Sequence, residues 1–137
     1  MVRSYEDADY ERLKELYQHS EWYGGVFDEA RDGRERLASK IASDPEAILV
    51  YEKDGELVGT ISIIEDGRVA WLYRFVVKDN DKDVAAELYD AATANLKARG
   101  HSEALVYTPA DNETLASRYD ELGMTPGGNY TCYYKEL

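Results

Sequence analysis

A chain of 137 residues with 44% hydrophobic side chains has room for one packed domain and enough apolar material for a core, which excludes wholesale disorder. Sixteen basic against 28 acidic side chains leave a net charge of −12; that field repels phosphate backbones, making nucleic acid a poor partner, and favours cationic small molecules or basic peptides. No apolar run nears the ~20 residues of a membrane span, residues 1–5 lack a signal peptide's apolar stretch, and the single cysteine, Cys132, permits neither an internal disulfide nor a zinc cluster. The expectation is a single cytoplasmic domain over residues 1–137.

Residues 1–5 read as a short strand. Asp7 or Asp9 can cap a helix reaching about residue 18, with Leu13, Leu16 and Tyr17 on one face. His19-Ser20-Glu21-Trp22-Tyr23-Gly24-Gly25 breaks that period and reads as a surface loop. A second helix runs from about residue 28 to 42, and Ser43-Asp44-Pro45 ends it. The pattern then changes to strands. Residues 47–53 are rich in β-formers, Asp54-Gly55 is a tight-hairpin signal, residues 57–64 return, and Asp66-Gly67 leads into residues 69–77. These three make an antiparallel meander. A polar loop, residues 78–83, precedes a helix with Val84, Leu88, Ala91, Ala92 and Leu96 as its stripe and Gly100 at its end. Residues 103–107 read as a strand, 108–111 as a loop, 112–122 as a short helix closed by Gly123, and 130–135 as a terminal strand. The order β-α-α-β-β-β-α-β-α-β predicts an α/β fold of the α+β kind, a mixed sheet with helices on its faces.

Asn112-Glu113-Thr114-Leu115-Ala116-Ser117-Arg118-Tyr119-Asp120-Glu121-Leu122-Gly123-Met124 resembles the C-terminal motif of the GNAT family of N-acetyltransferases: an Asn, a small residue four later, a Tyr seven later, and a Gly followed by a large apolar residue. Residues 47–60, with their Asp-Gly turn and Leu57-Val58-Gly59, resemble that family's central hairpin, and the element order is similar over nearly the whole chain. The resemblance implies an acyl-CoA N-acyltransferase fold and an enzyme moving an acetyl group from acetyl-CoA to a primary amine. It implies that the fourth strand meets pantetheine as an added strand would, with Phe75 and Val77 lining the slot and Asn112 contacting the pantetheine arm. Tyr119 takes the place of the general acid. A phenol suits that role, because a thiolate with a pKa near 8.5 leaves more readily beside a proton donor. By spacing alone, Leu115, Tyr119 and Leu122 also form a helical stripe in which Tyr119 is a core aromatic.

The family opens its long helix with an Arg or Gln and spaced glycines whose N–H groups hold the CoA pyrophosphate. Here the matching cofactor-binding positions are Lys82, Asp83, Val84 and Ala85, and residues 77–86 contain no glycine. Asp79, Asp81 and Asp83 set negative charge beside a diphosphate, opposed by Lys78 and Lys82. Asp81 or Asp83 is also a natural helix cap using the same N–H groups. Residues 69–77 hold no carboxylate, so Glu65 and Asp66 at the preceding turn are the nearest candidates for a general base, Glu65 first. Arg74, inside that apolar strand, either meets an anionic ligand or pairs with a neighbouring acid. Trp22 and Tyr23, with Glu21 and Asp28, either hold a cationic acceptor or cap the core. Residues 130–134 offer an aromatic surface for a homodimer, and Cys132 reads as packing. Two functions stand: an acetyl-CoA-dependent N-acetyltransferase acting on a small-molecule or peptide amine, and a GNAT-fold ligand-binding or interaction module that does not use acetyl-CoA.

Overall fold

The β-branched and aromatic runs between residues 48 and 77 build the sheet. The computed structural model describes residues 1–18 and 27–137, which form two compact units, Met1–Tyr107 and Thr108–Leu137. In the first unit, β1 (Val2–Ser4), β2 (Ile48–Lys53), β3 (Glu56–Glu65) and β4 (Ala70–Val77) make a four-stranded antiparallel sheet in that order. Asp54 and Gly55 turn between β2 and β3 with φ of 52° and 81°, the handedness that suits a two-residue hairpin.

Helix α1 (Tyr10–Gln18) buries Leu13, Leu16 and Tyr17, as its spacing predicts, and packs on β3 and β4. Ile48 and Val50 belong to this core. Tyr51, the residue after Val50, lies opposite Gly59 on β3, and Gly59 abuts Val84 and Leu88 of α4 (Lys82–Ala98). Successive strand residues point to opposite faces, so α1 and α4 cover the sheet from its two sides. The contact at Gly59 leaves no room for a side chain: a Cβ there would lie 2.7 Å from Leu88 Cδ1 and 2.9 Å from Val84 Cγ1. Gly59→Ala is expected to cost about 1–3 kcal/mol through overpacking, read as a lower urea midpoint.

The predicted helix over 28–42 is two helices, α2 (Glu29–Asp32) and α3 (Arg34–Ser43), and Gly33 is the corner. A Cβ at Gly33 would sit 2.6 Å from the Glu29 carbonyl oxygen, so the chain turns this tightly only without a side chain. Helix α4 ends as predicted: the Gly100 N–H donates to Lys97 O and the His101 N–H to Leu96 O, the paired closure of a Schellman turn. The strand expected at 103–107 is reduced to a parallel bridge between Leu105 and Trp71. The second unit holds α5 (Glu113–Glu121), and the terminal strand expected at 130–135 does not form: residues 125–137 adopt no regular element. β-propensity without a paired edge does not make a strand. Among the described residues no helix is long and apolar enough to cross a membrane.

Asp9, only 2% exposed, ties β1 to α1. Arg3 grips both its oxygens (2.8 and 2.9 Å), Arg12 adds a third contact, and the Glu6 N–H donates to Oδ2 at 2.9 Å. The Arg3 bonds chiefly hold its carboxyl down to about 2, below the ordinary 3.8. A carboxylate depressed by folding stabilises fully above its unfolded pKa and loses that contribution as pH falls through the folded value. Wild type is therefore expected to lose about 2 kcal/mol of stability between about pH 5 and pH 2. Asp9→Asn, less stable at the outset, should lack that portion of the slope in urea melts taken across the range.

Candidate active site

β4 pairs with β3 along one edge. On its other edge it bridges Leu105 at Trp71, with Leu105 N–H on Ala70 O (2.9 Å) and Leu72 N–H on Leu105 O (2.8 Å). Past Trp71 no further bridge forms on that edge among the described residues. There the strand bulges: Ser62 faces Tyr73 and Thr60 faces Val76, so three steps of β4 match two of β3, and Arg74 turns through φ 47°. Phe75 and Val77 are 1% and 3% exposed. Both side chains are therefore part of the interior.

Arg74 settles into the second of its two sequence readings. Its Nε donates to Asp32 Oδ1 at 3.0 Å and its Nη2 to Oδ2 at 2.6 Å, with both side chains buried. The Asp28 N–H also donates to Asp32 Oδ2, and the guanidinium lies over the rings of Tyr73 and Tyr17. The bulge is thereby pinned to α2.

The β4–α4 connection is a 3-10 turn, Lys78–Asn80, in which Asp79 and Asn80 both take positive φ (55° and 56°). Asp81 caps α4: its Oδ1 accepts the N–H groups of Asp83 (3.0 Å) and Val84 (3.2 Å). These are the amides a helix N-terminus presents to an anion. Lys82, Asp83, Val84 and Ala85 do form the first turn of α4, the two apolar residues buried and the two charged ones exposed. A carboxylate of the chain itself already occupies that turn.

Glu65 stands elsewhere. It pairs with Ala70 at one end of the β3–β4 ladder, whereas Val77 pairs with Gly59 six residues away, about 20 Å along the strand. His101 Nε2 lies 2.8 Å from one Glu65 oxygen, which also accepts the Gly67 N–H, and Arg99 reaches the other at 3.2 Å. These bonds, His101's first, hold its carboxyl below the usual range, the reverse of what a general base needs. Arg99 also clasps both Asp44 oxygens, at 2.7 and 2.9 Å, joining the end of α3 to the end of α4. Asp66, the other turn carboxylate, pairs with Arg68.

In the second unit, Asn112 caps α5 through the Leu115 N–H at 3.0 Å. Leu115 and Tyr119 form the buried face of that helix. Gly123 N–H donates to Asp120 O and Met124 N–H to Tyr119 O, closing the helix as Gly100 closes α4. Tyr130, Tyr133, Tyr134 and Cys132 are exposed. Of the proposed cation site, Glu21, Trp22 and Tyr23 lie outside the described residues, and Asp28 caps α2 while pairing with Arg31.

Residues 9–124 match the sequence model of the acetyltransferase (GNAT) family. The chain belongs to the GNAT family. Solved structures agree on the fold. The PaiA N-acetyltransferase of Thermoplasma acidophilum, in complex with coenzyme A, superposes with a TM-score of 0.75 at 22% identity, over 88% of this chain and 86% of that one. An aminoglycoside 6′-N-acetyltransferase from Acinetobacter haemolyticus gives 0.77 at 16% identity, over 100% and 99%. Glucosamine-6-phosphate N-acetyltransferase from Arabidopsis thaliana gives 0.72 at 19%, over 99% and 98%. No curated protein sequence matches the chain significantly.

The β4 edge and the first turn of α4 suit different kinds of ligand. The β4 edge fits a ligand that pairs as a strand does. The first turn of α4 does not fit a diphosphate, which would meet Asp81 on the amides with Asp79 and Asp83 beside it. Asp32, Arg99 and His101 escaped the sequence reading as partners, because each lies at least 34 positions from the residue it holds. The one signal was Arg74, a charge in an apolar strand.

Proposed function

We propose that this GNAT protein is an N-acetyltransferase carrying an acetyl group from a pantetheine thioester, acetyl-CoA in the family reading, to the amine of a cationic small molecule or peptide. The observation that carries the proposal is β4, which bulges at Arg74 just past its bridge to Leu105, the last bridge on that edge among the described residues. The two amides of a pantetheine arm are spaced to pair with such an edge as an added strand. The coenzyme A held by the Thermoplasma relative of the same fold supports this reading.

In the transfer, the amine nitrogen attacks the thioester carbonyl, the C–N bond forms and the C–S bond breaks. The departing thiolate takes a proton, and the amine gives one up to water. The main chain of Val77 and its neighbours on β4 would hold the arm; for the second unit, the family resemblance gives Asn112 a contact with the arm and Tyr119 the role of general acid. Glu65, already engaged by His101 and Arg99, keeps a structural part and is not assigned the base. A net charge of −12 concentrates cationic amines near the protein. The test is a screen of polyamines, aminoglycosides and lysine or N-terminal peptides, following thiol release and acetylated product from acetyl-CoA and from acetyl-pantetheine. Saturable, amine-dependent release is the expected result. Absence of acetylated product with every amine and both donors would overturn the assignment.

A further inference from the structure

The nucleotide half of the donor is the part these residues oppose. Two α4 amides that would face a diphosphate, those of Asp83 and Val84, are bonded to Asp81 Oδ1 at 3.0 and 3.2 Å. A diphosphate must displace that carboxylate, losing its cap, or bind farther out, losing the amides. Asp79, Asp81 and Asp83 add like charge at the same place, and Lys78, one of two opposing cations, sits 3.4 Å from Glu56 Oε2. Asp83 and Ala85 carry side chains where close backbone approach needs none. None of these obstacles touches the β4 edge, where the arm would pair through main chain.

We propose that donor recognition stops at the pantetheine arm, so that acyl-pantetheine thioesters lacking a nucleotide bind as well as acyl-CoA, with Asp81 setting the preference. The inference rests on the acetyltransferase reading above and narrows its donor class. The free thioester and a carrier-bound phosphopantetheine present the same arm, and the experiment separates them. The transfer is unchanged: the amine takes the acyl group, the C–S bond breaks, and the pantetheine thiol leaves protonated.

The test is calorimetric titration of the full chain with acetyl-pantetheine, acetyl-CoA and an acetylated carrier protein, at low and at molar salt. The expected result is a Kd for acetyl-pantetheine within about threefold of that for acetyl-CoA at low salt. Salt should favour acetyl-CoA by screening the aspartates. Asp81→Gly, which frees the amides, should tighten acetyl-CoA by about tenfold and leave acetyl-pantetheine unmoved. Asp81→Asn keeps a capping oxygen without the charge and should give a smaller gain, so the comparison survives if the glycine variant folds poorly. Binding of the carrier without the free thioester would place recognition on the carrier's surface rather than on the arm, and would overturn the inference. Acetyl-CoA bound tenfold or more tightly than acetyl-pantetheine by wild type, or weakened by Asp81→Gly, would overturn the inference and leave the acetyltransferase reading standing. No donor binding up to millimolar would bring down both.

Discussion

Asp32→Ala is expected to destabilise the protein by about 3–5 kcal/mol, the largest effect of any single substitution away from the β-sheet core. The aspartate is buried against an equally buried Arg74 with two well-formed bonds, and it also accepts the Asp28 N–H. Removing it takes the paired carboxylate from a guanidinium in a site with little water, which costs far more than breaking a surface pair. Arg74→Met should cost a similar amount by stranding Asp32. The informative measurement is the double variant, Asp32→Leu with Arg74→Met, because removing both charges abolishes both penalties. Urea melts should place the double variant well above the sum of the singles. Strict additivity would mean that the pair is not coupled. Arg74 also takes a positive φ, which costs a non-glycine residue about 1–2 kcal/mol, at the point where β4 bulges.

Elements with a local cause were readable in the sequence. The β2–β3 turn needed only Asp54-Gly55, the end of α4 needed Gly100, and α5 needed Asn112 to start and Gly123 to stop. Each depends on residues within a few positions of one another, where propensity and capping act directly. The stripe on α4 came through for the same reason, with Val84, Leu88, Ala92 and Leu96 buried and Ala91 half-buried. Gly33 shows where local reading stops. A glycine inside an apolar period is compatible with a continuing helix, and only the 2.6 Å approach to Glu29 O reveals that it is a corner. The expected strand at 130–135 erred in the other direction. Its β-formers are real, but a strand exists only as a pairing, and pairing is not written in one segment.

The same division runs through the site. Asp81 as a helix cap was foreseeable because a cap is local, and the conflict with a diphosphate follows from that cap alone. Glu65 drew attention as the carboxylate nearest β4 in sequence, yet the ladder sets it at the end remote from Val77, beside His101 and Arg99. Proximity in sequence along a hairpin is proximity to one end only. Arg74 could be singled out as anomalous, but the residue that explains it is 42 positions away on a helix whose boundary was itself misplaced.

Tyr119→Phe tests whether the phenol acts on the reaction or only fills the α5 face. The residue is 5% exposed and shares that face with Leu115. Deleting the hydroxyl keeps the ring and nearly all the volume, so the apolar packing of the α5 face is retained. If the phenol protonates the departing thiolate, kcat should fall by about 10²–10⁴ while the donor's KM changes little. A fold-only role predicts an unchanged kcat. The leaving group gives an independent readout. An ordinary thiolate, with a pKa near 8.5, benefits from a proton as it departs, whereas an acetyl thioester of a strongly acidic thiol leaves unaided. The kcat deficit of Tyr119→Phe should therefore shrink as the leaving thiol becomes more acidic. A deficit of the same size with every leaving group would mean that Tyr119 positions the donor rather than protonating the thiolate. Because the comparison is a ratio within one variant, loss of folded protein cannot imitate it.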